Sequence, residues 1–191
     1  MTCQLIIAGV GGQGVLFAAK IMAHAAGRAG LPVLASQTFG MAQRGGSVMT
    51  HLKIGDFAGP LVRQGDADLL LGLDGTEAHR TLPYLRPRRD GRGAVCVVNA
   101  GAAQAFPDQR IGALLRDRGV TIHTCDADGA ALAMKRPMAA NLVLLGFAAS
   151  GGDLPFSFDE IRDAALALGG AAHRQANLDA LESGRRLQGG G

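Results

Sequence analysis

The sequence predicts an α/β protein: a doubly wound, Rossmann-like, mostly parallel sheet with C-terminal helices, all in a single domain over residues 1–188. Three observations predict it. Short apolar runs of strand character recur at 5–8, 32–35, 68–73, 94–98 and 120–125, and several of the stretches between them carry helical periodicity. From residue 137 onward the pattern becomes helical throughout. A length of 191 residues, with 48% apolar and 18% charged content, suffices to bury one sizeable core.

The first apolar run, Leu5-Ile6-Ile7-Ala8, leads into Gly9-Val10-Gly11-Gly12-Gln13-Gly14, and then into Val15, Leu16, Ala19, Ile21, Met22 and Ala26 at helical spacing. Strand, tight turn and helix in that order make a phosphate-binding geometry. Glycines allow a sharp turn and close approach, and the helix presents unpaired N–H groups and the positive end of its dipole. The second strand is expected at 32–35. Residues 36–46 then read as a long polar connection, ending in a second glycine-rich turn, Met41-Ala42-Gln43-Arg44-Gly45-Gly46-Ser47. Connections of that length inside a compact domain usually carry function. Residues 47–54 alternate as a half-buried strand does, and 68–73 read as a buried parallel strand.

A short helix is expected at 76–85, weakened by Pro83, followed by a charged loop at 86–93 that reads as a solvated turn. Strands at 94–98 and 120–125 flank a helix at 111–118. The last third holds an apolar helix at 137–149 with Asn141 inside it, a helix opened by the capping box Ser157-Phe158-Asp159-Glu160, and a third helix at 172–187. Residues 189–191, all glycine, read as a disordered tail.

Charge sharpens the reading of the two turns. Residues 1–55 contain no Asp or Glu but hold Lys20, Arg28, Arg44 and Lys53, whereas 56–191 carry a net charge of −1 out of the chain total of +3. An anionic or phosphate-bearing partner fits such a stretch. The candidate binding set is Gly9, Gly11, Gly12, Gln13, Gly14, Ser36, Thr38, Arg44, Gly45, Gly46 and Ser47. Arg44 leads it, because a guanidinium held between flexible turns can fork onto a phosphate or carboxylate. A dinucleotide fold also wants an acid about 20 residues past the first turn, at the end of the second strand, to hold the ribose hydroxyls. Ser36-Gln37-Thr38-Phe39 stands there instead. This points away from NAD(P).

Composition narrows the classes further. With no Trp and one Tyr the chain has few stacking platforms, and its basic residues pair only at 88–89, 135–136 and 185–186, so no nucleic-acid footprint is expected. Cys3, Cys96 and Cys125 are scattered without metal spacing, which suits small buried hydrophobes in a reducing compartment. No apolar run reaches about 18 residues and no signal peptide precedes the first strand; a cytoplasmic protein without a membrane anchor is expected. No nucleophile stands beside a base and no paired acids sit in a turn, so no catalytic residue and no metal site is assigned. His51 reads as a satisfied strand histidine, His79, His123 and His173 have no convergent partner in sequence, and a buried Asn141 would need a hydrogen-bond partner, as if to pin a loop.

Four segments together resemble a known family: Gly9-Val10-Gly11-Gly12-Gln13-Gly14-Val15; Thr38-Phe39-Gly40-Met41-Ala42-Gln43-Arg44-Gly45-Gly46-Ser47-Val48; Asn141-Leu142-Val143-Leu144-Leu145-Gly146; and Asn177-Leu178-Asp179-Ala180-Leu181 with Gly184. They resemble the gamma subunit of 2-oxoacid:ferredoxin oxidoreductases over nearly the whole chain. Within that family the Met-Ala-Gln-Arg-Gly-Gly-Ser-Val wording is most similar to the small (beta) subunit of indolepyruvate oxidoreductase. Leu181 stands where an aromatic is more usual, which puts the docking of the last helix in question.

The resemblance implies a multi-subunit enzyme that decarboxylates a 2-oxoacid oxidatively to an acyl-CoA. Indolepyruvate or a related arylpyruvate is the favoured substrate. It implies that thiamine diphosphate, Mg and iron–sulfur clusters are held by large partner subunits, that ferredoxin is met only indirectly, and that this chain holds no cofactor alone, is inactive alone, and aids coenzyme A binding and assembly. A homodimer of the isolated chain is compatible with it. Two alternatives stay open on the residues: a stand-alone NAD(P)- or FAD-binding enzyme, and a non-catalytic scaffold subunit.

Overall fold

A computed structural model describes residues 1–191 apart from 41–44, 89–90, 92, 102–104, 107 and 190–191. Six strands form one sheet: β1 (Cys3–Val10), β2 (Val33–Phe39), β3 (Ser47–Ile54), β4 (Leu69–Gly72), β5 (Val95–Asn99) and β6 (Thr121–Cys125). Their order across the sheet is β2-β3-β1-β4-β5-β6. β1, β4, β5 and β6 are parallel neighbours, while β3 runs antiparallel to both β1 and β2. The sheet is thus mostly parallel, as expected, with one reversed strand wedged beside its centre.

Among the described residues seven α-helices cover the sheet: α1 (Val15–Arg28), α2 (Gly75–Thr81), α3 (Gln109–Asp117), α4 (Ala127–Ala133), α5 (Ala140–Ser150), α6 (Phe158–Leu168) and α7 (Arg174–Gly189). Alternation along the strands divides the interior into two layers. Leu5, Ile7, Leu69, Leu71 and Val97 face one layer with α1 and α4 to α7, and Ile6, Ala8, Leu70, Cys96 and Val98 face the other with α2 and α3. Both faces of the sheet are covered, which is why the central strands are apolar without alternation.

Three expectations shift in detail. The second strand does not end at 35; it continues through Ser36 and Thr38 to Phe39, paired residue for residue with β3, so the connection before β3 is a hairpin loop at 40–46. Polar residues at an exposed sheet edge carry the pattern of a loop, because burial, not hydrogen bonding, dominates a sequence pattern. The helix at 76–85 is α2 followed by a 3₁₀ turn at Leu82–Tyr84, where Pro83 removes a backbone donor, and 3₁₀ turns likewise open α5 and α7. α4 went unread. Gly189 closes α7, and the remainder of the expected tail lies outside the described residues. All three cysteines are buried and free, and burial pushes each thiol up to about 12.

Candidate functional site

The first glycine turn is built as strand, turn and helix, with Gly12 at φ 100° and Gly14 at φ 81°, conformations that favour glycine. Much of its donor capacity is spent internally. The Gln13 side chain turns back so that its Oε1 accepts from the Val10 N–H at 2.7 Å, the Gln13 N–H donates to the Val10 carbonyl at 3.1 Å, and the Gly11 N–H donates to the Gly46 carbonyl at 2.8 Å. The last of these bonds joins the two glycine turns into one structure. Gln13 therefore shapes the turn rather than reaching outward.

Gly14 is pinned from behind. Asn141, 4% exposed in α5, donates its Nδ2 hydrogen to the Gly14 carbonyl at 3.3 Å, while its Oδ1 accepts from the Leu142 N–H at 2.9 Å. A Cβ at Gly14 would stand 2.1 Å from that Nδ2. The partner that a buried Asn141 demands is the loop itself.

In front of the turns opens a groove of about 770 Å³ between α1, β2 and the start of β3. Its floor is backbone of Gly11, Gly12, Gly45 and Gly46; its walls are Leu16, Phe17 and Phe39. Lys20 is the single charged residue among the described residues that line it. Leu16 and Lys20 are four apart and so share one face of α1. The first turn of α1 has no side-chain cap and no acid, and although the Phe17 N–H donates to the Gly14 carbonyl at 3.0 Å, no charge in that turn opposes the positive end of its dipole beside the groove. An elongated ligand with an anionic group and an apolar length suits these walls.

Two carboxylates approach the turns from outside this groove. Glu77, 6% exposed in α2, accepts from Ser47 Oγ at 2.5 Å and from Arg80 Nη1 at 2.8 Å. Asp128 lines a smaller crevice of about 250 Å³ beside Gly11, Gly12 and Gln13. The acid-free stretch of sequence thus keeps an acid-free groove, with acids from elsewhere in the chain set behind it.

Comparison with known proteins decides the lineage. The family model for pyruvate ferredoxin/flavodoxin oxidoreductase matches residues 4–187. The chain belongs to that family. Its relatives include the indolepyruvate oxidoreductase subunit IorB of Archaeoglobus fulgidus, 34% identical over 96% of this chain and 94% of that protein, and IorB of Methanothermobacter thermautotrophicus, 30% identical over 84% and 85%. Among solved structures, the gamma subunit of a keto/oxoacid ferredoxin oxidoreductase from Geobacter sulfurreducens superposes with a TM-score of 0.74 at 23% identity, covering 99% of both chains. A 2-oxoglutarate:ferredoxin oxidoreductase from Magnetococcus marinus, solved with 2-oxoglutarate, coenzyme A and succinyl-CoA bound, superposes with a TM-score of 0.76 at 23% identity. This chain covers 31% of that longer chain.

Membership makes this a subunit of a 2-oxoacid:ferredoxin oxidoreductase, and the Archaeoglobus IorB is matched nearly end to end. In this family member the structure gathers Gly11, Gly12, Gly14, Gly45, Gly46 and Ser47 around one groove. Gly9 sits beneath, where a Cβ would stand 2.8 Å from Gln13 Oε1 and 2.9 Å from Val15 Cγ2. Ser36 and Thr38 alternate onto the opposite face of the sheet from Phe39, beside His51 and Met49, and are not among the groove residues. Ser47 contributes its position, since its hydroxyl proton is committed to Glu77. Arg44 lies outside the described residues.

Two groups escaped the reading of the sequence as site residues. Lys20 was legible through its i, i+4 relation to Leu16 just past the glycine turn. Glu77 left no signal, because only the packing of α2 over β1 brings it 30 residues back to Ser47. A third long-range pair, His123 Nδ1 with Asp153 Oδ2 at 2.7 Å, ties β6 to the loop before α6, away from the groove. Among the described residues no group of three or more His, Cys, Asp or Glu is placed to hold a metal ion, and no helix is long and apolar enough to cross a membrane.

Proposed function

We propose that this chain receives coenzyme A in an oxidoreductase that decarboxylates a 2-oxoacid oxidatively to its acyl-CoA. Indolepyruvate or a related arylpyruvate is the substrate favoured by the names of the IorB relatives. The observation that carries the reading is the groove: Lys20 and the open amino end of α1 supply positive potential for phosphate, and Leu16, Phe17 and Phe39 supply apolar wall for the uncharged arm of the ligand. Coenzyme A joins these two chemistries in one molecule. The Magnetococcus protein of the same fold was solved with coenzyme A bound, which agrees with this reading.

Thiamine diphosphate with Mg and the iron–sulfur clusters reside on large partner subunits in this proposal, supplying decarboxylation and electron transfer to ferredoxin. The described residues bring no nucleophile beside a base into the groove, so the role of this chain is to bind, orient and screen. Gly11, Gly12, Gly14, Gly45 and Gly46 provide close backbone approach, and Arg44 provides a second cation from the loop at 40–46. The complex works in the cytoplasm, and the chain alone is inactive, forming at most a homodimer.

The test is Lys20→Ala in the assembled complex. The Michaelis constant for coenzyme A should rise about fivefold, the loss of one charge-assisted phosphate contact, with that for the oxoacid unchanged. Because Lys20 is exposed, the difference between native and variant should shrink as salt is raised toward 0.5 M. An unchanged constant for coenzyme A at low salt would sink the assignment.

A further inference from the structure

We infer that Glu77 is a positioning residue for the groove, a latch that holds the second glycine turn against the first through Ser47. The inference rests on the coenzyme A reading for its kinetic consequence, and on geometry alone for its structural one.

Glu77 is the third residue of α2, whose start is fixed by Asp74: its Oδ1 accepts from the N–H groups of Thr76 and Glu77 at 2.9 and 3.0 Å. Side chains in a first helical turn lean back toward the amino end. From there the Glu77 carboxylate spans β1 and meets Ser47, the first residue of β3 and the register partner of Val10. Its second oxygen is held by Arg80, one helical turn on, whose own side chain is 64% exposed. The carboxylate is therefore clamped from one side by solvent-facing cation and spends its other oxygen on a single hydroxyl.

That hydroxyl sits at the root of the loop at 40–46. Around Ser47 the backbone is tied twice more: the Gly40 N–H donates to the Ser47 carbonyl at 2.7 Å, and the Gly11 N–H donates to the carbonyl of Gly46, next in chain to Ser47. Ser47 is thus the hinge pin on which both turns register. Burying a carboxylate to hold one serine is costly compared with an apolar side chain of similar volume. A purely stabilising position would favour the apolar residue; a position that must fix one rotamer of Ser47, and with it the height of Gly45 and Gly46 over the groove, favours the acid.

The experiment uses Glu77→Ala, Ser47→Ala, the double variant and Glu77→Gln, which keeps an acceptor for the Ser47 hydroxyl. In the full chain, hydrogen exchange at the Gly11 amide reads the bond between the turns directly and does not depend on any ligand. Both single alanine variants should speed it about tenfold, the double variant no more than either, and Glu77→Gln should restore it to within about twofold. In the assembled complex the same two variants should raise the Michaelis constant for coenzyme A and spare kcat and the constant for the oxoacid. Unchanged Gly11 exchange in Glu77→Ala, or additive effects of the two alanine changes, overturns the latch. Exchange that responds while the coenzyme A constant stays put, together with a silent Lys20→Ala, upholds the latch and removes coenzyme A from the groove.

Discussion

His51 shows how a single side chain in this sheet is committed. It is 3% exposed in β3, its Nδ1 accepts from the Val62 N–H at 3.2 Å, and its ring meets Tyr84 edge to face at 5.5 Å. Burial, and then the nearby Lys53 charge, lower its pKa from 6.5, and protonation of Nδ1 would break the bond to Val62. A lowered folded-state value means that the unfolded chain binds the proton first. The contribution of His51 is therefore intact above pH 6.5 and is lost as pH falls below it toward the folded value, at up to about 1.4 kcal/mol per pH unit. Urea unfolding between pH 5 and 8 should show this slope in the native chain and a shallower one in His51→Gln; equal slopes would remove His51 as its source. That His51 and Asn141 are satisfied structural residues was legible from their polar character inside apolar patterns. Which atom satisfies each was not, since Val62 and Gly14 lie 11 and 127 residues away.

Helix packing makes the same point at the next level up. α5 is apolar on all sides and is buried along almost its whole length, and it meets α7 at a crossing where two glycines remove the side chains that would hold the helices apart. A Cβ at Gly146 would lie 2.1 Å from the Leu181 carbonyl oxygen, and one at Gly184 would lie 1.9 Å from the Val143 carbonyl oxygen. Leu181, fully buried, fills the space at this crossing, so the departure from an aromatic there leaves α7 docked. Gly184→Ala would have to push backbone from backbone, and should cost about 3 kcal/mol in chemical denaturation. A loss below about 1 kcal/mol would mean that the helices can slide apart freely. The helix at 137–149 is readable from the length of its apolar run, too long for a strand, and that at 172–187 from periodicity over more than three turns. α4 was hidden by its brevity and by Gly129, which looks like a break but admits the Asp126 cap, whose Oδ1 accepts from the Gly129 N–H at 2.7 Å.

For the molecule as a whole, the decisive feature is the reversed strand. In a dinucleotide-binding sheet the strand after the first helix lies beside β1, where an acid at its end can reach the ribose. Here β3 occupies that place and displaces β2 outward by one strand spacing, about 4.8 Å. The missing acid near residue 36 and the inserted strand agree: neither residue type nor position serves a nicotinamide ribose. Calorimetry on the isolated chain should therefore find no NAD(H) or NADP(H) binding tighter than about 100 μM, roughly −5.5 kcal/mol. Binding below 10 μM would revive the stand-alone dinucleotide enzyme.

By itself the sequence determined the α/β class, the two glycine turns, the acid-free opening quarter, the capping box at Ser157 and the family. Each of these is written in residues near one another in the chain, where periodicity, backbone freedom and local charge act directly. Only the tertiary structure decided that the turns share a hydrogen bond, that Gln13 points inward, that Ser36 and Thr38 face away from the groove and that Glu77 stands behind Ser47. Those facts depend on strand register and on which helix covers which strand, and register is set by the packing of the whole core rather than by any local run of residues.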